Sequence, residues 1–590
     1  MKKAFRFITL ALMLMLSLST TTVFAQGEMV CESDVFVQQN DSLWKISQSA
    51  YGNGSAYWDI VEATNAKAAM DSSYATINNA NFIRPGWKLC IPARSTGSTS
   101  SSSNEQASPA PSTSAGSEQS TANVSHITFL QINDVYEMTP VSGEGGVARL
   151  ATLRKQLLAK NPNTYTVLSG DLFSPSALGT AVVDGETLAG KQMVAAMNAF
   201  GLDYATFGNH EFDVKEAQFY QRLAESETTW FSANVFDANG QSFPNVPKHV
   251  ILTATDNANR SVRIGLFGVT LPSNPVPYVK YTDAFEAAKA EAAILKDQVD
   301  ILVAVTHLAM PQDMQLAEII PDIDIIMGGH EHENAIEWHG PNSIPIAKAD
   351  ANARTAYIHH LYYNHDTGTL KIEPHLQAIT ADIPDDPEVA KVVDMWVQRA
   401  FDGFRKQEFK PENRVTTTTE PLDGTEASVR NRPTRLTELA NESMLAAAPG
   451  TEVSIFNGGS IRIDDTIPPG PITQYDVIRI MPFGGMIMSV EMTGSLLKRT
   501  LDQGMANAGS GGYLQLGNLM NNNGSWMING QALNEGGTYQ VAINDFLLTG
   551  KEKNLEFLNK DNNPELTVKG EHGDIRQALI TQLQKTYGAE

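Results

Sequence analysis

The chain has 590 residues, 42% of them hydrophobic, with 66 acidic against 43 basic side chains and a formal net charge of -23. Such a length exceeds what one hydrophobic core organises, so several domains are expected, and the apolar fraction is ample to give each a core. The acidic balance excludes a nucleic-acid polymer as partner, because binding a phosphate backbone needs a basic face; a small anionic substrate stays compatible with a locally positive site.

In chain order, the basic start Met1-Lys2-Lys3-Ala4-Phe5-Arg6, the apolar run from Phe7 to about Leu18 and the ending Val23-Phe24-Ala25 read as a secretory signal, residues 1–25, cleaved after Ala25. That run is shorter than the ~20 residues a membrane helix needs, and no later run approaches this length. The expected location is therefore exported, periplasmic or cell-wall associated, with no membrane span after cleavage. The two cysteines, Cys31 and Cys90, both lie after the cleavage point. In an exported protein they invite a disulfide, two free thiols being the alternative.

Residues 30–93 carry an alternating strand at Asp34-Val35-Phe36-Val37, two short amphipathic helices, and a second strand ending at Ile91-Pro92 after Pro85-Gly86. The pattern predicts a small β-α-α-β unit. With Asp41-Ser42-Leu43-Trp44 and Pro85-Gly86-Trp87-Lys88-Leu89, it resembles the LysM module, which implies binding to the N-acetylglucosamine-containing glycan of peptidoglycan. Residues 94–124, rich in Ser, Thr, Ala and Pro, have almost nothing to bury and are expected to form a flexible tether.

From Ser125 onward, apolar β-rich runs alternate with helical stretches, the pattern of a layered α/β architecture. Ile127–Ile132 runs into Asn133-Asp134, Tyr165–Ser169 into Gly170-Asp171, and Tyr204–Phe207 into Gly208-Asn209-His210-Glu211. Ile301–Thr306 ends at His307, and Ile323–Met327 runs into Gly328-Gly329-His330-Glu331-His332. Each candidate strand thus delivers a carboxylate, amide or imidazole at its carboxyl end, where ligands bind in such sheets. Hard oxygen donors mixed with imidazoles suit Zn, Mn or Fe, and a shared Asp can bridge two ions roughly 3.5 to 4 Å apart. A helix near Pro387–Phe404 reads as a connector, and residues 415–590 are expected to have a separate core.

On the stretches Asn133-Asp134, Gly145-Gly146-Val147-Ala148-Arg149, Ser169-Gly170-Asp171, Gly208-Asn209-His210-Glu211-Phe212-Asp213, Thr306-His307-Leu308 and Gly328-Gly329-His330-Glu331-His332, residues 125–590 resemble the bacterial 5′-nucleotidase and UDP-sugar hydrolase family. The resemblance implies a four-layered α/β-β-α metallophosphatase domain over 125–385, a connecting helix over 386–414 and an α/β nucleotidase C-terminal domain over 415–590. It implies a monomer with two divalent metal ions, Zn, Mn, Fe or Ca, that hydrolyses nucleotides, UDP-sugars or cyclic nucleotides by in-line attack of activated water. Asp171 is implied as the bridging ligand, with Asn209, His307 and His330 at one metal and Asp134 and His332 at the other. Asn209 also faces the substrate. His210 is implied to stabilise the attacked phosphoryl group, oriented by Asp213.

In the C-terminal domain, Asn457-Gly458-Gly459-Ser460-Ile461-Arg462, Met481-Pro482-Phe483 and Asn544-Asp545-Phe546 continue the resemblance. It implies that Phe483 and Phe546 sandwich the base and that Arg430 and Arg462 contact substrate oxygens. Three departures matter. Tyr136 stands where relatives carry a His after Asp-x, so its phenol is either a ligand favouring a harder ion or plain packing. Gly485 stands where Asn is common, and Gly550-Lys551-Glu552-Lys553 replaces a glycine-rich turn, which leaves base preference open. Rival readings are a dimetal hydrolase of thiosulfonate-type esters and a cell-wall scaffold without catalysis; the aromatic pair disfavours the first, and the intact ligand set the second.

Overall fold

The computed structural model describes residues 31–37, 43–51, 57–68, 71, 73–75, 77, 86–92 and 123–589, apart from 274, 523 and 562. The signal segment 1–25 and almost all of the expected tether lie outside the described residues, as do Asp41, Ser42 and Pro85 of the glycan-module motif. The chain divides into two compact units, 1–113 and 114–590. Among the described residues no helix is long and apolar enough to cross a membrane.

The first unit has the expected β-α-α-β order: Cys31–Phe36, Leu43–Tyr51, Tyr57–Ala68 and Lys88–Pro92, with the two strands antiparallel. Val37, Leu43, Ile46, Ile60, Leu89 and Ile91 form its small core. Cys31 and Cys90 are joined in a disulfide across 59 residues of sequence, their Cα atoms 5.3 Å apart.

The second unit begins with two six-stranded sheets. One runs in the order Thr369–Ala378, Thr355–Asn364, Val124–Ile132, Thr164–Ser169, Tyr204–Thr206, Thr229–Trp230; the other runs His249–Thr255, Ser261–Thr270, Ile301–His307, Ile325–Gly328, Ile344–Lys348, Ala335–His339. Alternation along each central strand decides the layering, since successive side chains point to opposite faces. Phe129, Val167, Val303 and Ile325 meet between the sheets. Their neighbours Leu130 and Leu168 face outward to the helices Val147–Lys160 and Lys191–Phe200, while Ala304 and Ile326 face Ala284–Leu295 and Met310–Ile319. Strands buried on both faces read as nearly continuous apolar runs. The result is the four-layered α-β-β-α sandwich expected from the sequence.

Asp386 caps the helix Pro387–Lys406 by accepting from the backbone of Glu388 and Val389. Val389, Val393, Trp396, Ala400 and Phe404 repeat at helical spacing and are buried against the outer helices, so this connector is part of the sandwich's outer layer. Beyond it, Leu514–Gly517, Val453–Asn457, Thr538–Asn544, Met486–Thr493 and Leu566–Asp574 form a five-stranded sheet. The separate core expected here exists on one face, around Val453, Val490, Leu497 and Val541. On the other face, Leu436, Ile478 and Leu579 belong to an apolar cluster continuous with Leu150, Phe200 and Phe404. Beside that separate core, the connecting helix carries apolar contact from one domain into the other.

Opening the Cys31–Cys90 link by Cys90→Ser removes a loop constraint worth about 4 kcal/mol in the chain-entropy account. The expected outcome is loss of the first unit's ordered signal at a lower denaturant concentration, followed by the fluorescence of its tryptophans.

Candidate metal centre

The parallel strands of both sheets end at one edge, and there the ligand candidates meet. Atoms of Asp134, Asp171 and His307 lie within 4.8 Å of one another, all three residues buried. His307 Nε2 is 3.3 Å from Asp171 Oδ2 and 4.0 Å from Asp134 Oδ1, and His332 Nε2 is 3.5 Å from Asp134 Oδ1. The His330 ring is edge-on to His307 at 5.3 Å between centroids.

Local backbone makes this convergence possible. Asp134, Asp171 and His330 have φ of 53°, 62° and 85°, in the left-handed region that non-glycine residues rarely adopt and that is strained. Cross-bonds hold them there: Asp134 N donates to Gly170 O at 3.0 Å, and Val135 N to Asp171 O at 2.9 Å. Close approach demands glycine at two neighbours. A Cβ on Gly208 would lie 2.0 Å from Asp171 Oδ1, and one on Gly329 would lie 2.2 Å from Ser169 O.

Each carboxylate is divided between fold and site. Asp134 Oδ2 accepts from His330 N at 2.9 Å and Asn133 Nδ2 at 2.8 Å, leaving Oδ1 toward the cluster. Asp171 Oδ1 accepts from His210 N at 2.8 Å, leaving Oδ2. His307 Nδ1 donates to Ser169 O at 2.8 Å, so the lone pair is on Nε2, the arrangement seen for a metal-ligating imidazole. Among the described residues, neither His307 Nε2 nor Asn209 Oδ1 has a hydrogen-bond partner, although both are buried. Unpaired buried acceptors are costly, and a cation satisfies both.

The electrostatics agree. Burial disfavours charge on Asp171, but the His307 and His210 rings hold its carboxyl well below the usual range. Burial also works against a charged His307, and the Asp171 and Asp134 carboxylates nevertheless carry it up to about 9, so that a cation bound at Nε2 takes the place of a proton there. Burial, assisted by His307, keeps His330 down at about 4, neutral and able to donate a lone pair.

Three supporting groups were not singled out in the sequence reading. Glu211, fully buried, accepts from the backbone N–H groups of Asp171, Leu172, Phe173 and Gly208, tying two ligand loops together. Lys348, also fully buried, donates to Leu308 O, to Gly329 O at 2.8 Å and to Glu331, and pairs with Asp313 at 2.9 Å. Burial alone would strip its proton; Asp313 and Glu331 keep it charged. One ammonium thus clamps the backbone beside His307 and His330. Asp464, from the C-terminal domain, accepts from His332 Nδ1, which directs that ring's Nε2 into the cluster. Only its approach to His332 in space reveals Asp464, whereas the burial of Lys348 was hinted at by the apolar strand Ile344–Lys348 that contains it.

His210 Nδ1 is 2.6 Å from Asp213 Oδ2. A cleft beside the carboxylate cluster is lined by Tyr136, His210 and His332 from the sandwich domain and by Glu426, Arg462, Asp464 and Arg479 from the C-terminal one. Arg462 is therefore brought to the site. Its guanidinium is 5.9 Å from the Phe483 ring and 3.8 Å from Glu426, with which Arg430 also pairs. Arg430, Phe483 and Phe546 do not line this cleft; the two rings are 59% and 41% exposed.

Residues 127–334 match the calcineurin-like phosphoesterase family, and residues 414–559 match the 5′-nucleotidase C-terminal domain. The chain carries both domains and is a metal-dependent phosphoester hydrolase related to the 5′-nucleotidases. It is 26% identical over 500 residues to the trifunctional nucleotide phosphoesterase protein YfkN of Bacillus subtilis (strain 168), covering 75% of this chain and 33% of that protein. The chain thus spans about a third of that relative's length. With the 5′-nucleotidase of Bos taurus it shares 26% identity over 446 residues, 67% of this chain and 74% of the relative. The crystal structure of a 5′-nucleotidase precursor from Thermus thermophilus has the same fold, with a TM-score of 0.64 at 21% identity, covering 79% of this chain and 97% of that one. Calcineurin-like phosphoesterases bind two divalent metal ions, and the donor set of this chain fits them.

Saturation with Mn or Zn at about 100 times the dissociation constant is expected to stabilise the protein by about 2.7 kcal/mol, read as a rise in melting temperature that Asp171→Asn abolishes. Lys348→Met strands Asp313 and Glu331 and is expected to cost about 3–5 kcal/mol, read from the denaturant midpoint, with weaker retention of metal.

Proposed function

We propose that the chain is an exported 5′-nucleotidase, removing phosphate from nucleoside monophosphates outside the cytoplasm, with residues 30–93 holding it to peptidoglycan as a LysM module. The observation that carries the catalytic part is the cleft in which His210 and His332 of one domain face Arg462 of the other beside the buried carboxylate cluster. Nucleotides as substrate class are supported by the likeness to the Bacillus subtilis nucleotide phosphoesterase and the Bos taurus 5′-nucleotidase. The cell-wall role rests on the β-α-α-β order and the quoted motifs alone.

Two divalent ions, when bound, supply Lewis-acid charge and an activated water for in-line displacement at phosphorus. Asp171 would be shared between them, with Asn209, His307 and His330 holding one and Asp134 and His332 the other. The Nδ1–H of His210 donates to Asp213, which fixes the ring so that it presents a hydrogen bond to the phosphoryl oxygens as negative charge develops there. Asn209 and Arg462 neutralise and orient those oxygens, with Arg430 next to Arg462 extending the positive surface. Phe483 and Phe546 present apolar faces outside the cleft, where a purine or pyrimidine stacks at little cost in selectivity, since every base has a π-face.

Purified chain loaded with Mn, Zn, Fe or Ca and offered AMP, UMP, UDP-glucose, 2′,3′-cyclic AMP and ADP tests the reading. His210→Ala is expected to lower kcat by about 10²- to 10³-fold with KM little changed. Phe483→Ala is expected to raise KM by the equivalent of about 1–3 kcal/mol. Phosphate release that survives both Asp171→Asn and His210→Ala would sink the catalytic assignment. For the cell-wall part, co-sedimentation with insoluble peptidoglycan is expected, and a full-length chain that stays in the supernatant rules it out.

A further inference from the structure

The Tyr136 hydroxyl does not point to solvent or into an apolar core. Oη is 3.1 Å from Asp134 Oδ1, 2.9 Å from Asp171 Oδ2 and 3.1 Å from His332 Nε2, three atoms already assigned to one metal position. Adjacent ligands around an ion with bonds of ~2.0–2.2 Å stand about 3 Å apart, the spacing observed here. A phenol has one proton, so it satisfies only one of the two carboxylate oxygens facing it. Asp464 occupies His332 Nδ1, which leaves Nε2 as that ring's coordinating atom.

Nor is the phenol free to swing elsewhere. The backbone N–H groups of Tyr136 and Glu137 donate to Asn352 Oδ1 at 3.2 and 3.1 Å, and the ring is packed edge-on against His332 at 5.5 Å and His210 at 6.3 Å. Tyr136 is 7% exposed. The loop delivering Asp134 therefore delivers Tyr136 Oη to the same point.

The geometry points to Tyr136 as a ligand of the metal position held by Asp134, Asp171 and His332, making that position selective for ferric iron, while the position held by Asp171, Asn209, His307 and His330 takes a borderline divalent ion such as Zn. The inference rests on the dimetal hydrolase reading and deepens it. The first position presents three oxygens and one imidazole; the second presents two oxygens and two imidazoles. Oxygen-rich sites favour harder ions, and imidazole suits zinc. Coordination replaces the phenolic O–H bond with an O–Fe bond and releases the proton to water; iron supplied as ferric ion changes no oxidation state.

The test loads the full chain, Tyr136→Phe and Tyr136→His with ferric iron and zinc, then measures bound metal by elemental analysis, affinity by chelator competition, and the visible spectrum. Circular dichroism checks that each variant is folded. The wild-type chain is expected to hold one iron and one zinc and to show a visible ferric–phenolate charge-transfer band. Tyr136→Phe is expected to keep zinc in the second position, to lose the band, and to bind iron weaker by more than the ~10- to 100-fold that loss of an outer-shell partner costs. Tyr136→His is expected to bind two ions without the band and to prefer zinc in both positions. Iron bound by Tyr136→Phe with wild-type affinity, or a wild-type iron complex without the band, overturns the inference and leaves the hydrolase reading intact. A wild-type chain that binds no ion at all overturns both.

Discussion

Two carboxylates, Asp134 and Asp171, are removed from water side by side at the edge of the sandwich, and this is the constraint to which the rest of the site answers. Like charges buried together are strongly unfavourable unless counter-charge and hydrogen bonds compensate. The protein supplies backbone N–H donors to one oxygen of each and turns imidazoles toward the other. What the arrangement lacks in its own charge is what two cations provide. The left-handed backbone at Asp134, Asp171 and His330 is the conformational cost of aiming these atoms inward.

Around that cluster lies a second ring of fixed charges whose role is mechanical. Glu211 gathers the N–H groups of two loops, and the Lys348 ammonium gathers carbonyls from two others. Each sits one residue or one hydrogen bond from a side chain of the cluster. Ligand positions are therefore specified by buried polar networks as much as by strand geometry, and such networks rigidify only when every member is satisfied.

The C-terminal domain takes part in the same edge. Asp464 reaches His332, Asp465 lies 3.4 Å from Arg354, and Tyr475 donates to Glu137 at 2.8 Å. Together with the continuous apolar cluster through the connecting helix, these contacts hold Arg462 beside His210. Any opening of the two domains must break these links, one of which passes directly to the His332 imidazole beside Asp134.

Much was legible in the amino-acid order. Runs such as Phe129-Leu130 and Val303-Ala304 announce strands buried on both faces, and polar residues placed after them announce an edge where ligands collect. Such local signals suffice because strand periodicity and turn chemistry act over a few residues. The β-α-α-β unit was legible for the same reason, and Cys31 and Cys90 lie on the two strands that such a unit pairs. The sharing of one apolar cluster by two domains was not, since an apolar residue shows that it will be buried but not against what.

By itself, then, the amino-acid sequence determined the layered fold and the edge at which the candidate donor residues gather. Tertiary structure alone decided that Asp464 and Lys348 serve that edge, that Arg462 but not Phe483 or Phe546 lines the cleft, and that the Tyr136 hydroxyl meets Asp134, Asp171 and His332. The physical reason is separation along the chain. Asp464 is 132 residues from His332, and Tyr136 is 196 residues from the same ring, so no local pattern encodes their meeting; only the packing of the whole unit brings them within a hydrogen bond.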